Sequence, residues 1–313
     1  MADKLAFRPR TIRFSIASSV ERRYRTTAVL FVLPALVLLL AITIYPLIRT
    51  LSLTVMAQEL TVSPDAEYVG LQNFQKVLAD GRFWNAMQNT SFLVVVGVAI
   101  QLVAGTGLAL LLSEIGRSRS VWVSLFLIPV MIAPVVAGFQ FRVILNDSFG
   151  PLNYLIKWVS GGLISPPAWL ADPKTALFSI MLTDLWQWTP FMLLIVLAGL
   201  QSISVELLEA AEVDGASYWQ TFWRIKIPIL LPVIIIGILI RLMDTFKTFD
   251  LVYLLTGGGP GSSTETIAYY TYLNGFKFFS MGYTAAMAFV QLVVIILVSR
   301  AFLAIQNRQQ KVG

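Results

Sequence analysis

Long apolar runs recur along this chain, and they restrict its possible folds more than any other feature. A run of roughly 20 apolar residues is what an α-helix needs to cross a hydrocarbon layer about 30 Å thick. Six such runs are predicted to span a membrane: residues 27–48, 89–112, 121–144, 176–200, 229–255 and 282–304. Charged residues make up only 13% of the chain, against about 25% in soluble domains. The sequence therefore predicts an all-α integral membrane protein.

The positions of lysine and arginine predict how these spans are oriented. Most basic residues lie before the first span, between the second and third, between the fourth and fifth, and after the sixth. Basic segments are retained on the cytoplasmic side, so both termini are predicted to be cytoplasmic. The first apolar run exceeds the apolar region of a signal peptide, which favours an uncleaved signal-anchor. The net charge of +6 is explained by this topology and by attraction to anionic lipid, rather than by a nucleic acid partner.

Residue types that are absent exclude several kinds of chemistry. The chain has no cysteine and no histidine, which excludes disulfides, thiolate metal sites, zinc sites with histidine ligands and Ser-His-Asp triads. The glycine-rich segment 257–261 lacks the Lys-Ser or Lys-Thr of a phosphate-binding P-loop, and it lies on the predicted outer side. We interpret it as a turn. A nucleotide would therefore have to be bound by another chain.

A short polar segment interrupts the apolar pattern between the fourth and fifth spans. Ser204 can cap a helix that continues to about Asp214, and Gly215 supplies the conformational freedom for a sharp turn. A second short helix can follow, and it is expected to stop before Pro228, whose ring cannot continue it. The segment therefore predicts a helix-turn-helix elbow, residues 204–228, on the cytoplasmic side.

The predicted elbow carries an unusual surface. Glu209 and Glu212 are three positions apart, so they point the same way on a helix, beside the small residues Ala210 and Ala211. The elbow is the only predicted cytoplasmic segment that is acidic. Its acidic residues are Glu206, Glu209, Glu212 and Asp214. An acidic knob with small residues suits insertion into a cleft of a partner. A solvated amphipathic loop is the alternative.

The order and spacing of these residues resemble the EAA loop of the permeases of ATP-binding-cassette (ABC) importers. The matching residues are Glu209, Ala210, Ala211, Gly215, Ile225, Ile227 and Pro228. Ile227 departs from the leucine more common in the family, which is a volume-conserving change. Residues 68–74, 84–90, 249–253 and 255–260 further resemble the carbohydrate-uptake branch, of the maltose and glycerol-phosphate type. The resemblance covers nearly the whole chain.

This resemblance implies a fold, a location and a division of the chain. The fold is the six-helix transmembrane domain of a type I ABC importer with a cytoplasmic coupling helix, in a bacterial cytoplasmic (inner) membrane. Residues 1–26 would be a basic cytoplasmic N-terminus, and residues 27–84 the first transmembrane helix with its outer loop. Residues 85–304 would form the ABC transmembrane type-1 domain, followed by a cytoplasmic tail, residues 305–313.

The resemblance also implies partners and roles. The coupling helix of such permeases is seated in a groove of a cytoplasmic ATPase. The implied coupling residues are Glu209, Ala210, Ala211, Glu212, Asp214, Gly215, Ile225 and Pro228. The expected partners are a second permease in a heterodimer, two copies of an ABC ATPase, an extracytoplasmic solute-binding protein and membrane lipid. No cofactor and no enzyme activity are expected on this chain, because the ATPase would bind ATP and Mg²⁺. The expected function is import of a sugar, polyol or related carbohydrate.

Ionisable side chains inside the predicted spans are costly in lipid, so they mark a water-filled path or ion pairs. The fifth span carries charges of alternating sign at three-residue spacing from Arg241 onward, so neighbours can pair along the helix. In the fourth span a carboxylate, an amide and an indole share one face, a combination that suits a sugar. The candidate substrate-pathway residues are Asp184, Gln187, Trp188, Asp244, Lys247 and Asp250. Structural ion pairs and interfacial tryptophans are the alternative.

Other functions remain compatible with the sequence. An ion-coupled secondary transporter could use the charged series of the fifth span. A polytopic membrane enzyme could use Asp244 and Asp250 as an acid–base pair. Neither function explains the elbow. Basic and acidic residues are equal in number within the predicted spans, so their charges cancel. This favours a neutral sugar or polyol over a phosphate ester as substrate.

Two predicted outer loops are longer than a simple connection requires. They are residues 51–88 and residues 146–175. Each contains apolar residues of its own, which suits contact with an external partner. Capping of the helical bundle is the alternative.

Overall fold

The computed structural model describes residues 16–309, and these form two units, residues 16–52 and residues 53–309. The first unit consists of most of one helix, α1 (Ile16–Leu53), and the stretch Thr27–Leu53 is long and apolar enough to cross a membrane. The parts of the predicted cytoplasmic termini before residue 16 and after residue 309 lie outside the described residues.

The second unit begins with a short antiparallel hairpin and continues as helices. The hairpin pairs β1 (Met56–Ala57) with β2 (Glu67–Tyr68), with Met56 opposite Tyr68. The helices are α2 (Gln72–Ala79), α3 (Gly81–Phe92), α4 (Val98–Glu114), α5 (Arg119–Met131), α6 (Pro134–Ile144), α7 (Pro151–Val159), α8 (Pro173–Gln201), α9 (Val205–Val213), α10 (Tyr218–Thr221), α11 (Ile227–Thr245), α12 (Asp250–Leu255), α13 (Ile267–Tyr272) and α14 (Met281–Gln309). The π-helical segments Leu93–Gly97, Phe222–Lys226 and Leu273–Lys277 follow α3, α10 and α13.

The helices confirm the prediction of a six-span membrane protein. Within the described part of the chain, five continuous stretches are long and apolar enough to cross a membrane: Thr27–Leu53, Gly81–Glu114, Pro173–Gln201, Tyr218–Thr245 and Met281–Ala304. The helices α5 and α6 form a bent pair that makes a sixth span if it is counted as one. The second span begins at Gly81, earlier than predicted, because the Asp80 side chain caps it by accepting a hydrogen bond from the backbone N–H of Arg82 at 2.8 Å.

The third span is broken, so the prediction of one continuous helix over residues 121–144 is wrong. The helices α5 and α6 meet at an angle of 92°. Ile132 and Ala133 between them are extended, with ψ of 132° and 138°. Pro134 causes the break, because a proline ring pushes the preceding residue out of the helical region. Backbone groups freed at such a break need partners inside the protein.

The fifth span is also broken, and the prediction of one helix over residues 229–255 is wrong. Helix α11 ends at Thr245, and the chain resumes as the short helix α12 at Asp250. The backbone between them is satisfied inside the protein, since the Thr266 hydroxyl donates to the Thr248 carbonyl at 2.7 Å. Lys247 therefore lies in the break rather than on the helix.

Helix α8 packs against both α4 and α11 in the second unit, and it carries three of the candidate substrate-pathway residues, Asp184, Gln187 and Trp188. Where α4 crosses α8, a Cβ on Gly105 would lie 2.7 Å from the Met192 Cβ and 2.9 Å from the Leu193 backbone nitrogen. The lack of a side chain at Gly105 therefore permits the two backbones to approach closely. Leu193 and Leu230 are fully buried in the apolar cluster that joins the three helices.

The first predicted outer loop is an ordered cap on the second unit. Asn73 is 3% exposed, and its amide donates to the backbone carbonyls of Thr54 at 3.0 Å and Met56 at 2.8 Å. Phe74 packs on the apolar cluster formed with α3, α11 and α14. These contacts support capping of the bundle by residues 72–79.

Candidate functional site

All six candidate substrate-pathway residues line one cavity. These residues are Asp184, Gln187 and Trp188 from α8, Asp244 from α11, Lys247 from the break and Asp250 from α12. Pro134, Thr248, Phe249 and Leu251 complete the lining, and the cavity volume is about 90 Å³. We call it the polar cavity. Both broken spans contribute to its wall, as expected where irregular backbone at membrane depth lines a cavity.

A buried arginine organises the polar side chains beneath this cavity. Arg241 is 1% exposed. Its guanidinium donates from Nη2 to both carboxylate oxygens of Asp184 at 3.0 and 2.9 Å, from Nε to the Gln101 side-chain oxygen at 3.0 Å, and from Nη1 to Asp244 at 2.7 Å. It also lies over the Trp188 ring, 4.6 Å from the centroid. The predicted pairing of Arg241 with Asp244 is confirmed.

The same contacts determine what Asp184 can do. Asp184 is 7% exposed, and both of its carboxylate oxygens accept from Arg241. One of them also accepts from the Gln101 amide at 2.7 Å. A buried carboxylate needs such partners, because removal of a charge from water costs several kcal/mol. The Asp184 carboxylate therefore stabilises the buried Arg241 cluster through these hydrogen bonds.

Gln101 is a member of the buried Arg241 cluster that the sequence did not predict. It lies on α4, is fully buried, and contacts both Arg241 and Asp184. The available signal was an amide inside the apolar run 89–112. That signal did not predict its partner, because α4 and α8 approach each other only in the folded chain.

Gln187 connects the cavity to the break in the third span. Its amide nitrogen donates to the Ile132 carbonyl at 2.7 Å, which satisfies one backbone group freed by the bend. Its side-chain oxygen is buried and has no hydrogen-bond partner among the residues that the structure describes. A buried polar atom without a partner is rare in a folded protein. The oxygen therefore has unused capacity to accept a hydrogen bond, and Gln187 is one of the residues that line the polar cavity.

Lys247 and Asp250 line the cavity, and no ion pair or hydrogen bond of their side chains forms within residues 16–309. The sequence predicted that Lys247 could pair with Asp244 and Asp250, but among the described residues neither ion pair forms. The break after Thr245 removes the helical spacing on which that prediction depended. Asp244 is also accessible, since its side chain is 50% exposed although it contacts Arg241.

The first helix of the elbow ends as predicted. Helix α9 is followed by Gly215 at φ +75°, a left-handed conformation that favours glycine. The N–H of Gly215 donates to the Glu212 carbonyl at 3.0 Å, and the N–H of Ala216 donates to the Ala211 carbonyl at 2.9 Å. This pair of bonds is a Schellman motif. Ser204 precedes the helix, but its side chain makes no capping hydrogen bond.

The second helix of the elbow does not stop before Pro228, so that prediction is wrong. Ser217 and Gln220 form a reciprocal capping box at its start. The helix then passes through the π-helical turn Phe222–Lys226, which contains Ile225, and continues into α11. Pro228 lies in the first turn of α11, where the widened π turn accommodates a residue that cannot donate an N–H.

The elbow exposes its acidic side chains. The exposed residues include Glu206, Glu209, Ala210, Glu212 and Asp214. Ala211 differs, because it is 7% exposed and packs within this chain, so the small accessible surface is Ala210 alone. Val213 is 87% exposed beside the turn. The elbow therefore combines an acidic face with an apolar tip.

A second charged network fixes the glycine-rich turn at the other end of the second unit. Arg82 forms two hydrogen bonds with Glu265, which is 1% exposed, at 2.7 and 2.5 Å. Asp80 accepts hydrogen bonds from the hydroxyls of Tyr270 and Tyr283. Burial raises the pKa of Asp80, but these hydrogen bonds and backbone N–H groups outweigh burial and hold it below the usual value.

Comparison with known proteins gives close sequence relatives. The trehalose/maltose transport system permease protein MalF of Thermococcus litoralis is 34% identical over 268 residues, which cover 86% of this chain and 88% of the relative. The sulfoquinovosyl glycerol transport system permease protein SmoG of Agrobacterium fabrum is 35% identical over 283 residues, 90% of each chain. The similarities give no support to the ion-coupled alternative.

A solved structure and a family model agree with these relatives. A chain of a bacterial alginate ABC transporter, solved in complex with an alginate pentasaccharide-bound periplasmic protein, matches with a TM-score of 0.79 at 22% identity. The match covers 93% of this chain and 96% of that one, which shows a shared fold. Residues 23–311 match the family described as binding-protein-dependent transport system inner membrane component. The chain therefore belongs to this family and is a permease subunit of an ABC transporter.

Proposed function

We propose that this permease forms the path for a neutral carbohydrate, and that ATP hydrolysis on a separate ATPase drives import. The observation that carries the proposal is the polar cavity, where two broken spans bring unpaired polar groups together beside an indole ring. The relatives named for trehalose, maltose and sulfoquinovosyl glycerol support the carbohydrate class.

The chemistry of the cavity suits hydroxyl groups better than a strong anion. Lys247 can donate hydrogen bonds, whereas Asp244, Asp250 and the Gln187 side-chain oxygen can accept them. The Arg241 guanidinium is already bound to its carboxylate partners, so it is not free to hold a phosphate. The accessible carboxylates would repel an anion. A sugar can use the donors, the acceptors and the Trp188 face together.

The polar cavity of this chain alone is smaller than a typical small-molecule site. A small-molecule site usually has about 300–1,000 Å³, whereas the polar cavity has about 90 Å³. Substrate would enter when the spans separate, and a second permease subunit would supply the facing wall. Alternating access follows if an ATPase biases the equilibrium between an outward-open and an inward-open state.

The elbow is the proposed contact with that ATPase. Glu209, Glu212 and Asp214 are accessible for basic residues of a partner, and the exposed Ala210 permits a close approach. Gly215 and the Schellman motif fix the angle between α9 and the helix that continues into α11. Because α11 ends at the polar cavity, movement of the elbow would be transmitted to Asp244 and to the break.

The proposed assembly contains this chain, a second permease subunit, two copies of a cytoplasmic ATPase that binds ATP and Mg²⁺, and an extracytoplasmic binding protein. The solved alginate transporter with its periplasmic protein supports a binding protein as partner. The distribution of lysine and arginine supports cytoplasmic termini in a bacterial inner membrane. In that orientation the elbow faces the compartment that contains ATP.

Reconstitution of the complete importer with its binding protein in proteoliposomes tests this proposal. Radiolabelled trehalose and maltose are the probes, with ATP supplied on the side of the elbow. We expect uptake of at least one sugar to require ATP and to persist when ionophores collapse the ion gradients. Uptake without ATP, or no uptake of either sugar by the wild type, would refute the proposal.

Two elbow variants test the coupling role. Glu209→Lys reverses the charge at the proposed contact, and Gly215→Asp disturbs the turn. Both should abolish uptake and substrate-stimulated ATP hydrolysis while the protein remains in the membrane. Glu206→Lys is the matched control, because it makes the same charge change on the first turn of α9 and should retain most uptake. Normal coupling in both test variants would contradict the role of the elbow.

A further inference from the structure

A row of four aromatic rings begins at the polar cavity and ends at an exposed surface. The rings are Phe249, Tyr253, Tyr272 and Phe276. Phe249 lines the cavity beside Asp250. Its ring centroid lies 5.4 Å from that of Tyr253 and 4.9 Å from that of Tyr272, and Tyr272 stacks on Phe276 at 5.6 Å and 24°. We call these residues the aromatic row.

The far end of the aromatic row is not part of the core. Tyr253 is 46% exposed and Phe276 is 65% exposed. Tyr269, the neighbouring ring, is instead 6% exposed, and its hydroxyl donates to the Gly257 carbonyl. The hydroxyls of Tyr253 and Tyr272 have no such bond within the described residues. The row therefore offers accessible rings together with free hydroxyl groups.

The row continues from the cavity along one side of the structure. Asp250 and Tyr253 are three residues apart on α12, so both lie on the same face of that helix. Phe276 lies in the π-helical turn that follows α13, in the connection to the last span. The charge distribution predicts that this connection is on the outer side of the membrane. The aromatic row thus joins the predicted outer surface to the polar cavity.

We propose that the aromatic row is a carbohydrate-binding surface that begins at Phe249 in the wall of the polar cavity and extends beyond it, and that a neutral sugar rests on this surface before it enters. The C–H faces of a sugar pack on aromatic planes, and the free tyrosine hydroxyls can bond to its hydroxyl groups. Such contacts depend little on the exact position of the sugar, so they permit movement along the row. This inference rests on the proposed function and extends it to residues outside the cavity.

Uptake kinetics of Tyr253→Ala and Phe276→Ala in the reconstituted importer test the inference. The probe is whichever of radiolabelled trehalose and maltose the wild type imports. Loss of one ring should raise KM about three- to tenfold, the effect expected from one aromatic contact. The maximal rate and the basal ATP hydrolysis should stay unchanged, because neither residue contacts the elbow or the Arg241 cluster.

Two control variants separate a sugar contact from other roles. Tyr253→Phe keeps the ring and should keep KM within about twofold of the wild type. Phe278→Ala removes a ring that is 52% exposed in the same connection but outside the row, and it should leave KM unchanged. Because Tyr253 and Phe276 are accessible, their replacement should not unfold the chain.

The outcomes distinguish this inference from the proposed function. Wild-type KM values in both alanine variants would overturn the inference while leaving the proposed function intact. Loss of the second permease on co-purification of either variant would also overturn it, because the row would then be a subunit contact. If the wild type imports neither sugar, the proposed function and this inference both fail.

Discussion

Replacement of Arg241 tests whether the cluster beneath the polar cavity is a desolvated ionic network. Arg241→Met keeps most of the side-chain volume and removes the charge. It leaves Asp184, which is 7% exposed, with the Gln101 amide but without a cation. Breaking a buried pair by removal of one partner costs about 3–5 kcal/mol, because an uncompensated buried charge remains. An exposed pair would cost at most about 1 kcal/mol.

The double variant gives the sharper test of this reasoning. Asp184→Leu alone should be similarly costly, since it leaves the buried guanidinium with only Asp244 as a charged partner. The double variant Arg241→Met/Asp184→Leu leaves neither of these charges unpaired. It should therefore be no less stable than either single variant, with a coupling energy of at least about 3 kcal/mol.

The measurement is equilibrium unfolding of the purified permease in mixed detergent micelles, followed by tryptophan fluorescence. Arg142→Met is the matched control, because Arg142 is exposed on α6, and it should change stability by less than about 0.5 kcal/mol. Additive losses in the double variant would refute the desolvated network. A loss below about 1 kcal/mol for Arg241→Met would show instead that water screens the pair.

Three further predictions concern the elbow, the helix crossing and the outer network. Gly215→Ala should destabilise the turn by about 1–2 kcal/mol because φ is +75° while the space around it is open, and Gly215→Asn should cost less in the same unfolding assay. Gly105→Ala should lower the free energy of unfolding by about 1–3 kcal/mol, because the added methyl group overpacks against α8. Gly107→Ala on the same helix is the control: a Cβ there would have no atom within 4 Å, and the change should raise stability by about 0.5–1 kcal/mol. Equal effects of the two substitutions would contradict the close crossing of α4 and α8. The lowered pKa of Asp80 stabilises the fold above the unfolded value of 3.8, and this contribution is lost as pH falls through the folded pKa. The stability difference between wild type and Asp80→Asn should therefore shrink below pH 3.8, and a pH-independent difference would refute this assignment.

The elbow shows how much local sequence could predict. Gly215 correctly predicted where its first helix ends, because such turns depend on neighbours in the chain, whereas Ser204 precedes the helix without the predicted capping hydrogen bond. The second helix was predicted to end before Pro228, but it continues. A π-helical turn absorbs the proline, and its formation depends on packing that local rules do not describe.

The candidate site shows the limit of sequence reasoning. The free-energy cost of a charged side chain in lipid identified Asp184 and Asp244 as unusual residues. Helical spacing predicted that Gln187 and Trp188 lie on the same helix face as Asp184. The breaks in the third and fifth spans were not predicted. Pro134 marks the first break, but Pro190 lies inside the continuous helix α8, so a proline in an apolar run does not by itself show where a helix stops. Those breaks decide which charges pair and which remain accessible.

Sequence alone determined that this chain is a helical membrane protein with an elbow suited to a partner. Those properties depend on transfer of side chains from water to lipid and on local backbone preferences, which each segment carries by itself. Only the tertiary structure decided that Gln101 joins Arg241 and Asp184, and that Lys247 and Asp250 have no ion-pair partner in the part of the chain that the structure describes. Such pairing depends on which helices approach each other, because a buried charge is stabilised by groups that are distant in the chain.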